Sequence, residues 1–291
     1  MVRYPFYILD VFAEEKYAGN QLAVFRNAAD IPDETMQKIA NDMHFSETTF
    51  ILSDEPRDGG YDVRIFTPEE EIPFAGHPTI GTASAIISEI IRKPVKNVTL
   101  NLGVGQIPVE ADSDGVLWMT QKPPVFSRVF RPDEVADAIG VSPADIDDRF
   151  PVQEVSTGLP AAIVPLKATG ALRNARRSQE ALDRLKEKYG LITLLFFSTE
   201  PRDSHNHLSA RVFTVYPSVP EDPATGSANG CLAGYLVKHR YFGKDTVDIR
   251  VEQGYDMGRP SLLRLRAKPS GDEIEVRVGG RAVLIARGEL V

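Results

Sequence analysis

At 291 residues with 42% hydrophobic content, the chain can bury a large core, as one big domain or two of ordinary size. Its formal charge is −8, from 33 basic and 41 acidic residues, and no Lys/Arg-rich run tracks a phosphate backbone, so nucleic acid is not an expected partner. A single cysteine, Cys231, excludes an intrachain disulfide framework and any mechanism needing two thiols, and it fits a reducing compartment.

The first apolar run, Tyr4 to Phe12, is broken by Asp10 and lacks the basic flank and cleavage site of a signal peptide. A cytoplasmic protein without membrane contact is the expectation. Gly19-Asn20-Gln21 then opens the apolar run Leu22 to Phe25. Asp33 to Met43 carries apolar residues at Met36, Ile39, Ala40 and Met43, the spacing of a surface helix. Phe45 to Leu52 and Tyr61 to Thr67 read as two strands joined through the turn Arg57-Asp58-Gly59-Gly60. Strand alternation assigns Glu47 to the face of Phe45, Thr49 and Ile51. Apolar neighbours disfavour its charged form, which suits a group that accepts and returns a proton near neutrality. Taken alone, Glu47 fits an ordinary exposed edge-strand residue better.

The corner Phe74-Ala75-Gly76-His77-Pro78-Thr79 leads into a helix expected over Pro78 to Ile91, which has almost no polar face and must be buried. Gln121-Lys122-Pro123-Pro124 reads as a linker. Beyond it, Ser178 to Tyr189 runs from an N-cap to a stop at Gly190, and Leu191 to Ser198 and Leu208 to Thr214 are strands. Glu221-Asp222-Pro223-Ala224-Thr225-Gly226-Ser227-Ala228 forms a second polar corner, followed by a buried helix expected over Pro223 to Val237. Gly226, Gly230 and Gly234 leave one side of that helix bare. Proline and small residues at a helix start favour an anion, since the N–H groups there are free and the dipole end is positive.

The two halves echo one another. Ser53-Asp54-Glu55-Pro56-Arg57-Asp58 returns as Ser198-Thr199-Glu200-Pro201-Arg202-Asp203, and Arg64-Ile65-Phe66-Thr67 returns as Arg211-Val212-Phe213-Thr214. Gly19 to Phe25 matches Gly158 to Val164, and the prolines before the corners, Pro73 and Pro220, are taken as counterparts. In this alignment Ile192 falls opposite Glu47, so one half carries a base and the other does not. Two repeats about a pseudo-twofold axis, each a sheet curled around a central helix, are the expected architecture. Three other features carry little chemistry. His205-Asn206-His207 lacks a third metal ligand and reads as a solvated loop, Cys231 as core, and Gly103-Val104-Gly105 as no dinucleotide fingerprint.

Together, Ser46-Glu47-Thr48-Thr49-Phe50, Gly76-His77-Pro78-Thr79 and Glu221 to Ala228 resemble the motifs of the PhzF-like isomerases of phenazine biosynthesis, in order and spacing. The likeness extends from Leu9-Asp10-Val11-Phe12 to Gly288-Glu289-Leu290. It implies an α+β, diaminopimelate epimerase-like fold, with residues 1–120 plus 281–291 and residues 121–280 as pseudo-symmetric domains and the site between them. It also implies a homodimer that works without cofactor or metal on a small carboxylate-bearing substrate. Carried onto this sequence, Glu47 becomes the general acid/base acting on a dihydro-hydroxyanthranilate. His77, Asp222 and Ser227 hold the substrate's carboxylate and amino group or assist the transfer. Asn20, Gly76, Thr225 and Gly226 complete the substrate-binding set. Gln21, where the family commonly has proline, and Thr214-Val215-Tyr216 depart from the pattern at the pocket rim and bear on the choice of substrate. Two alternatives stand beside this reading: a racemase or epimerase with two opposed acid/base groups, and a non-catalytic anion-binding protein.

Overall fold

The computed structural model describes residues 3–191, 193–216 and 218–291. The chain divides into two compact units, Met1–Thr120 with Gly279–Val291, and Gln121–Val278. Both are mixed sheets with helices, of the α+β class.

The strands of the first unit are β1 (Tyr4–Val11), β2 (Asn20–Phe25), β3 (Glu47–Ile51), β4 (Tyr61–Phe66), β5 (Glu71–Ile72), β6 (Asn97–Leu102), β7 (Gly105–Ala111) and β8 (Leu117–Gln121), with a closing strand at Ala282–Leu290. The closing strand is antiparallel to β1, and β1 is antiparallel to β2. From there β2 and β3 are parallel, β3 and β4 antiparallel, β4 and β6 parallel, and β6 and β7 antiparallel. Helix α1 (Asp33–Met43) covers one face, where Met36, Ile39 and Ala40 meet Phe25, Phe50 and Phe66. Helix α2 (Gly76–Ala85) covers the other and continues as a π-helical turn over Ile86–Ile91, closed by the Arg92 amide donating to the Ile87 carbonyl at 2.9 Å. The expected helix therefore starts two residues earlier than Pro78. Proline is tolerated there because the first N–H groups of a helix have no partner inside it.

The second unit holds β9 (Val125–Val129), α3 (Pro132–Ile139), β10 (Gln153–Ser156), β11 (Pro160–Pro165), α4 (Thr169–Asn174), α5 (Gln179–Tyr189), β12 (Thr193–Ser198), β13 (Leu208–Thr214), α6 (Gly226–Lys238), β14 (Val247–Gln253), β15 (Ser261–Ser270) and β16 (Glu273–Gly280). From β9 through β15 the pairings repeat the order of the first unit: antiparallel, antiparallel, parallel, antiparallel, parallel, antiparallel. Helix α5 is capped by the Ser178 hydroxyl, which accepts from the Ala181 amide, and it stops at left-handed Gly190, as its sequence predicts. Helix α6 begins at Gly226, with Thr225 as N-cap, so Pro223 lies three residues ahead of it rather than in its first turn. Asp222 is therefore not the cap either.

The register refines the internal alignment. Phe50 pairs with Arg64 and Phe196 with Arg211, which makes Thr193 the counterpart of Glu47. Ile192, the counterpart read from sequence, lies outside the described residues. Both repeats carry one clamp. Arg64 grips Glu71 through two bonds of 2.8 and 2.6 Å and stacks on Phe66, while Arg211 grips Glu221 through two of 2.8 Å and stacks on Phe213. Matching Glu71 to Glu221 pairs Pro73 with Pro223, not with Pro220. A side chain at Gly103 would press on Pro73, and one at Gly254 would lie 2.6 Å from the Pro223 carbonyl, which confirms the shift.

The central helices reach their sheets through glycine. A Cβ at Gly81 would come within 2.5 Å of Leu22 and 2.7 Å of Val11. On α6, one at Gly230 would lie 1.8 Å from the Gln121 amide oxygen and one at Gly234 2.8 Å from Pro124, so residues 121–124 run directly over the bare helix face. Gln121 holds that contact with a bond to the Gly226 carbonyl at 3.0 Å and another from the Thr157 hydroxyl at 2.6 Å.

Two stability outcomes follow from this packing. Gly230→Ala gains about 1 kcal/mol of helix propensity but forces Gln121 aside, so overpacking of about 1–3 kcal/mol should leave a net loss in urea unfolding. The side chains of Arg211 and Glu221 are 8% and 16% exposed, against 24% and 43% for Arg64 and Glu71. Arg211→Met should accordingly cost about 3–5 kcal/mol and Arg64→Met about 1 kcal/mol or less. Equal losses in the two variants would contradict this ranking.

Candidate active site

In the first unit, three N-terminal ends converge. Asn20 opens β2 and Glu47 opens the parallel strand β3, where it lies one strand from Leu22. His77 is the second residue of α2. The Thr49 hydroxyl meets the Thr82 hydroxyl at 2.9 Å, tying β3 to α2, and Gly81 admits the helix against Leu22. The result brings His77 Nδ1 to 3.3 Å from Glu47 Oε2 and 3.3 Å from Asn20 Nδ2.

His77 is buried, and desolvation pushes its pKa down to about 3, with the backbone of Gln21 opposing the shift. It is a neutral imidazole at physiological pH. The Asn20 amide nitrogen can only donate, so its bond to Nδ1 uses the ring tautomer with Nδ1 unprotonated, and the 3.3 Å contact of Nδ1 with Oε2 is a close polar approach. Oε2 itself is buried, whereas the Glu47 side chain keeps 17% of its surface, so its exposed part lies elsewhere on the side chain.

Alternation places Glu47 with Thr49 and Ile51 on the α2 side, as the sequence predicts. Phe45 does not share that face. The strand starts only at Glu47, and Phe45 packs with the cluster of Phe25 and Phe50 under α1.

In the second unit, the corner before α6 is a closed hydrogen-bond ring. The Thr225 hydroxyl donates to Asp222 Oδ2 at 2.5 Å. Gln253, the last residue of β14, donates through Nε2 to the Asp222 carbonyl at 2.7 Å and to Thr225 Oγ1 at 3.1 Å. Its Oε1 accepts from the Thr225 amide at 3.3 Å and from Asn229 Nδ2 at 2.8 Å. Gly226 is buried and Ser227 half-buried at the start of the helix. The first amides of α6 have no partner within the helix and point toward the corner, an arrangement that favours a carboxylate. Gln253 was not visible as a site residue in the sequence, since it stands 28 positions beyond Thr225 and belongs to no local motif.

The remaining candidates are structural. His205 is exposed and bonds Asp203 at 2.7 Å, while His207 Nδ1 accepts from the Arg250 amide. Burial pushes the Cys231 thiol up to about 11. Gly103 and Val104 form the two-residue turn between β6 and β7. Among the described residues, no three His, Cys, Asp or Glu side chains are grouped to hold a metal ion, and no helix is long and apolar enough to cross a membrane.

Two mixed sheets, each around a buried helix and each with a polar corner at the helix start, make up an epimerase-like fold. Residues 9–288 match the family model for phenazine biosynthesis-like proteins, PhzC-PhzF, and the chain belongs to that family. It is 34% identical to the trans-2,3-dihydro-3-hydroxyanthranilate isomerase of Pseudomonas aeruginosa, over 97% of both chains. It is 31% identical to an uncharacterized isomerase of Clostridium acetobutylicum, over 99% of this chain and 98% of that one. The PhzF-family phenazine biosynthesis protein of Bacillus anthracis superimposes with a TM-score of 0.91 at 25% identity over the whole of both chains.

Burial of His77 couples folding to pH. The unfolded chain binds a proton below pH 6.5 that the folded chain refuses until about pH 3. This contribution to stability is therefore whole above 6.5 and is lost as pH falls, by up to about 1.4 kcal/mol per pH unit. Urea unfolding between about pH 7 and 5 should show a shallower fall in stability for His77→Gln than for the wild type. Parallel curves would mean that His77 is not buried neutral.

Proposed function

We propose that this isomerase moves a proton on a small, unsaturated ring carboxylate of the dihydro-hydroxyanthranilate type, with Glu47 as general acid/base. The observation that carries the reading is the Asn20–His77–Glu47 cluster, in which a neutral imidazole sits 3.3 Å from one carboxylate oxygen. Ionised Glu47 takes a proton from one ring carbon, the C–H electron pair passes into the unsaturated system, and the protonated carboxyl returns the proton at another carbon. The substrate is neither oxidised nor reduced overall, so the step requires no electron carrier. The neutral His77 ring, held by Asn20, lies beside Oε2, and the Glu47 carboxylate is the group that carries the proton. The role of His77 in this scheme is positioning by a neutral ring.

Asp222, as a carboxylate, suits the substrate's amino group. The first amides of α6, at Gly226 and Ser227, together with the hydroxyls of Ser227 and Thr225, suit its carboxylate. Gly76 gives the backbone at the start of α2 the same openness. The family resemblance extends the proposal to a homodimer working in the cytoplasm.

Proton NMR in D₂O with trans-2,3-dihydro-3-hydroxyanthranilate, named for the Pseudomonas relative, tests the reading. Glu47→Gln should lose about 10²–10⁴-fold in kcat while remaining folded. Retention of the substrate's own proton in the product supports a single base. Full incorporation of deuterium supports two opposed groups instead, and undiminished turnover by Glu47→Gln would remove the glutamate from the mechanism.

A further inference from the structure

The pairing of β4 with β6 and of β13 with β14 sets up a residue-by-residue comparison of the two repeats. Asp62 lies beside Asn101, and its counterpart Ser209 lies beside Glu252. In both places the strand residue fastens the preceding turn. Asn101 Nδ2 donates to the Arg57 carbonyl at 2.9 Å, and Glu252 accepts from the Arg202 and Asp203 amides at 2.8 and 2.7 Å. One residue further along, the repeats diverge: Leu102 ends β6 and Gln253 ends β14, both buried.

A buried glutamine at the end of a strand is costly unless its amide is satisfied on both sides. Gln253 is satisfied entirely by the corner residues Asp222, Thr225 and Asn229, through four bonds of 2.7 to 3.3 Å. The first unit keeps an apolar residue at the matching site. It does share the simpler bond, since the Thr79 hydroxyl donates to the Ala75 carbonyl just as Asn229 donates to the Thr225 carbonyl four residues back. Helix geometry alone therefore does not require the glutamine.

We propose that Gln253 is a positioning residue that holds Asp222, Thr225 and the first turn of α6 in their substrate-binding arrangement. The proposal rests on the isomerase reading above for the identity of the bound group. Its two donated bonds fix the Asp222 backbone and the Thr225 hydroxyl. The hydroxyl in turn fixes the Asp222 carboxylate, and the two accepted bonds orient the Thr225 amide and the Asn229 side chain. A carboxylate displaced by about 1 Å at such a site can lose on the order of 10²-fold in rate.

The test is Gln253→Leu, which installs the residue that the other repeat carries, followed by hydrogen–deuterium exchange of the amides from Thr225 to Asn229 and by steady-state kinetics on trans-2,3-dihydro-3-hydroxyanthranilate. Faster exchange confined to that segment, together with a KM raised about 10- to 100-fold and a smaller change in kcat, is the expected result. Unchanged exchange would overturn the clamp, and faster exchange with both kinetic constants unmoved would reduce Gln253 to a structural residue. If Gln253→Leu does not fold, Gln253→Glu, which keeps the acceptor oxygens and removes both donated bonds, is read in the same way. A wild type inert toward this substrate defeats the proposed substrate, and the exchange measurement then decides the clamp by itself.

Discussion

A helix made almost wholly of apolar and small residues has no side to give to water, and both units of this chain are arranged around one. Helices α2 and α6 are buried along nearly their whole length. Burial on every side requires the sheet and its connections to come close, and the glycines at 81, 230 and 234 remove the side chains that would prevent it. Each glycine weakens the helix by about 1 kcal/mol relative to alanine, a loss that packing against Leu22, Gln121 and Pro124 must exceed. Because α2 lies so close to β2 and β3, its first turn meets the first residues of both strands. Asn20, Glu47 and His77 come together at that meeting point.

Duplication supplies the scaffold, and departure from symmetry supplies the chemistry. The Arg–Glu–Phe clamp occurs in both repeats, as does the edge-on contact of Phe50 with Phe66 and of Phe196 with Phe213. These contacts hold the strand before each corner against its neighbours and have no reason to differ. The matching positions that do differ are Glu47 against Thr193, His77 against Ser227, and Leu102 against Gln253. On the proposed reading, these differences separate a proton-handling half from a substrate-binding corner.

Much of this was legible from local pattern. The 3.6-residue period marks α1, and the period with its flanking caps limits α5, because those signals act within one turn of helix. The echo of Arg64-Ile65-Phe66-Thr67 in Arg211-Val212-Phe213-Thr214 revealed the repeat, because the clamp demands the same residues twice. Local pattern fails where register matters. Spacing pairs Pro220 with Pro73 because insertions between the halves hide the true alignment, whereas the clamp on Glu221 and the close approach at Gly103 and Gly254 pair Pro73 with Pro223. Alternation carried past the first paired residue of the strand puts Phe45 on the wrong face.

Sequence alone shows which segments must be buried, where the polar corners fall and which candidates, Glu47, His77 and Asp222, stand at them. Those properties reside in side-chain type and short-range spacing. Tertiary structure decided the protonation state of His77, since desolvation depends on everything packed around the ring. It also decided the surroundings of Gln253, whose three partners come from another segment of the chain. A hydrogen bond between residues 28 positions apart leaves no periodic trace, and only the folded chain brings its two ends to bonding distance.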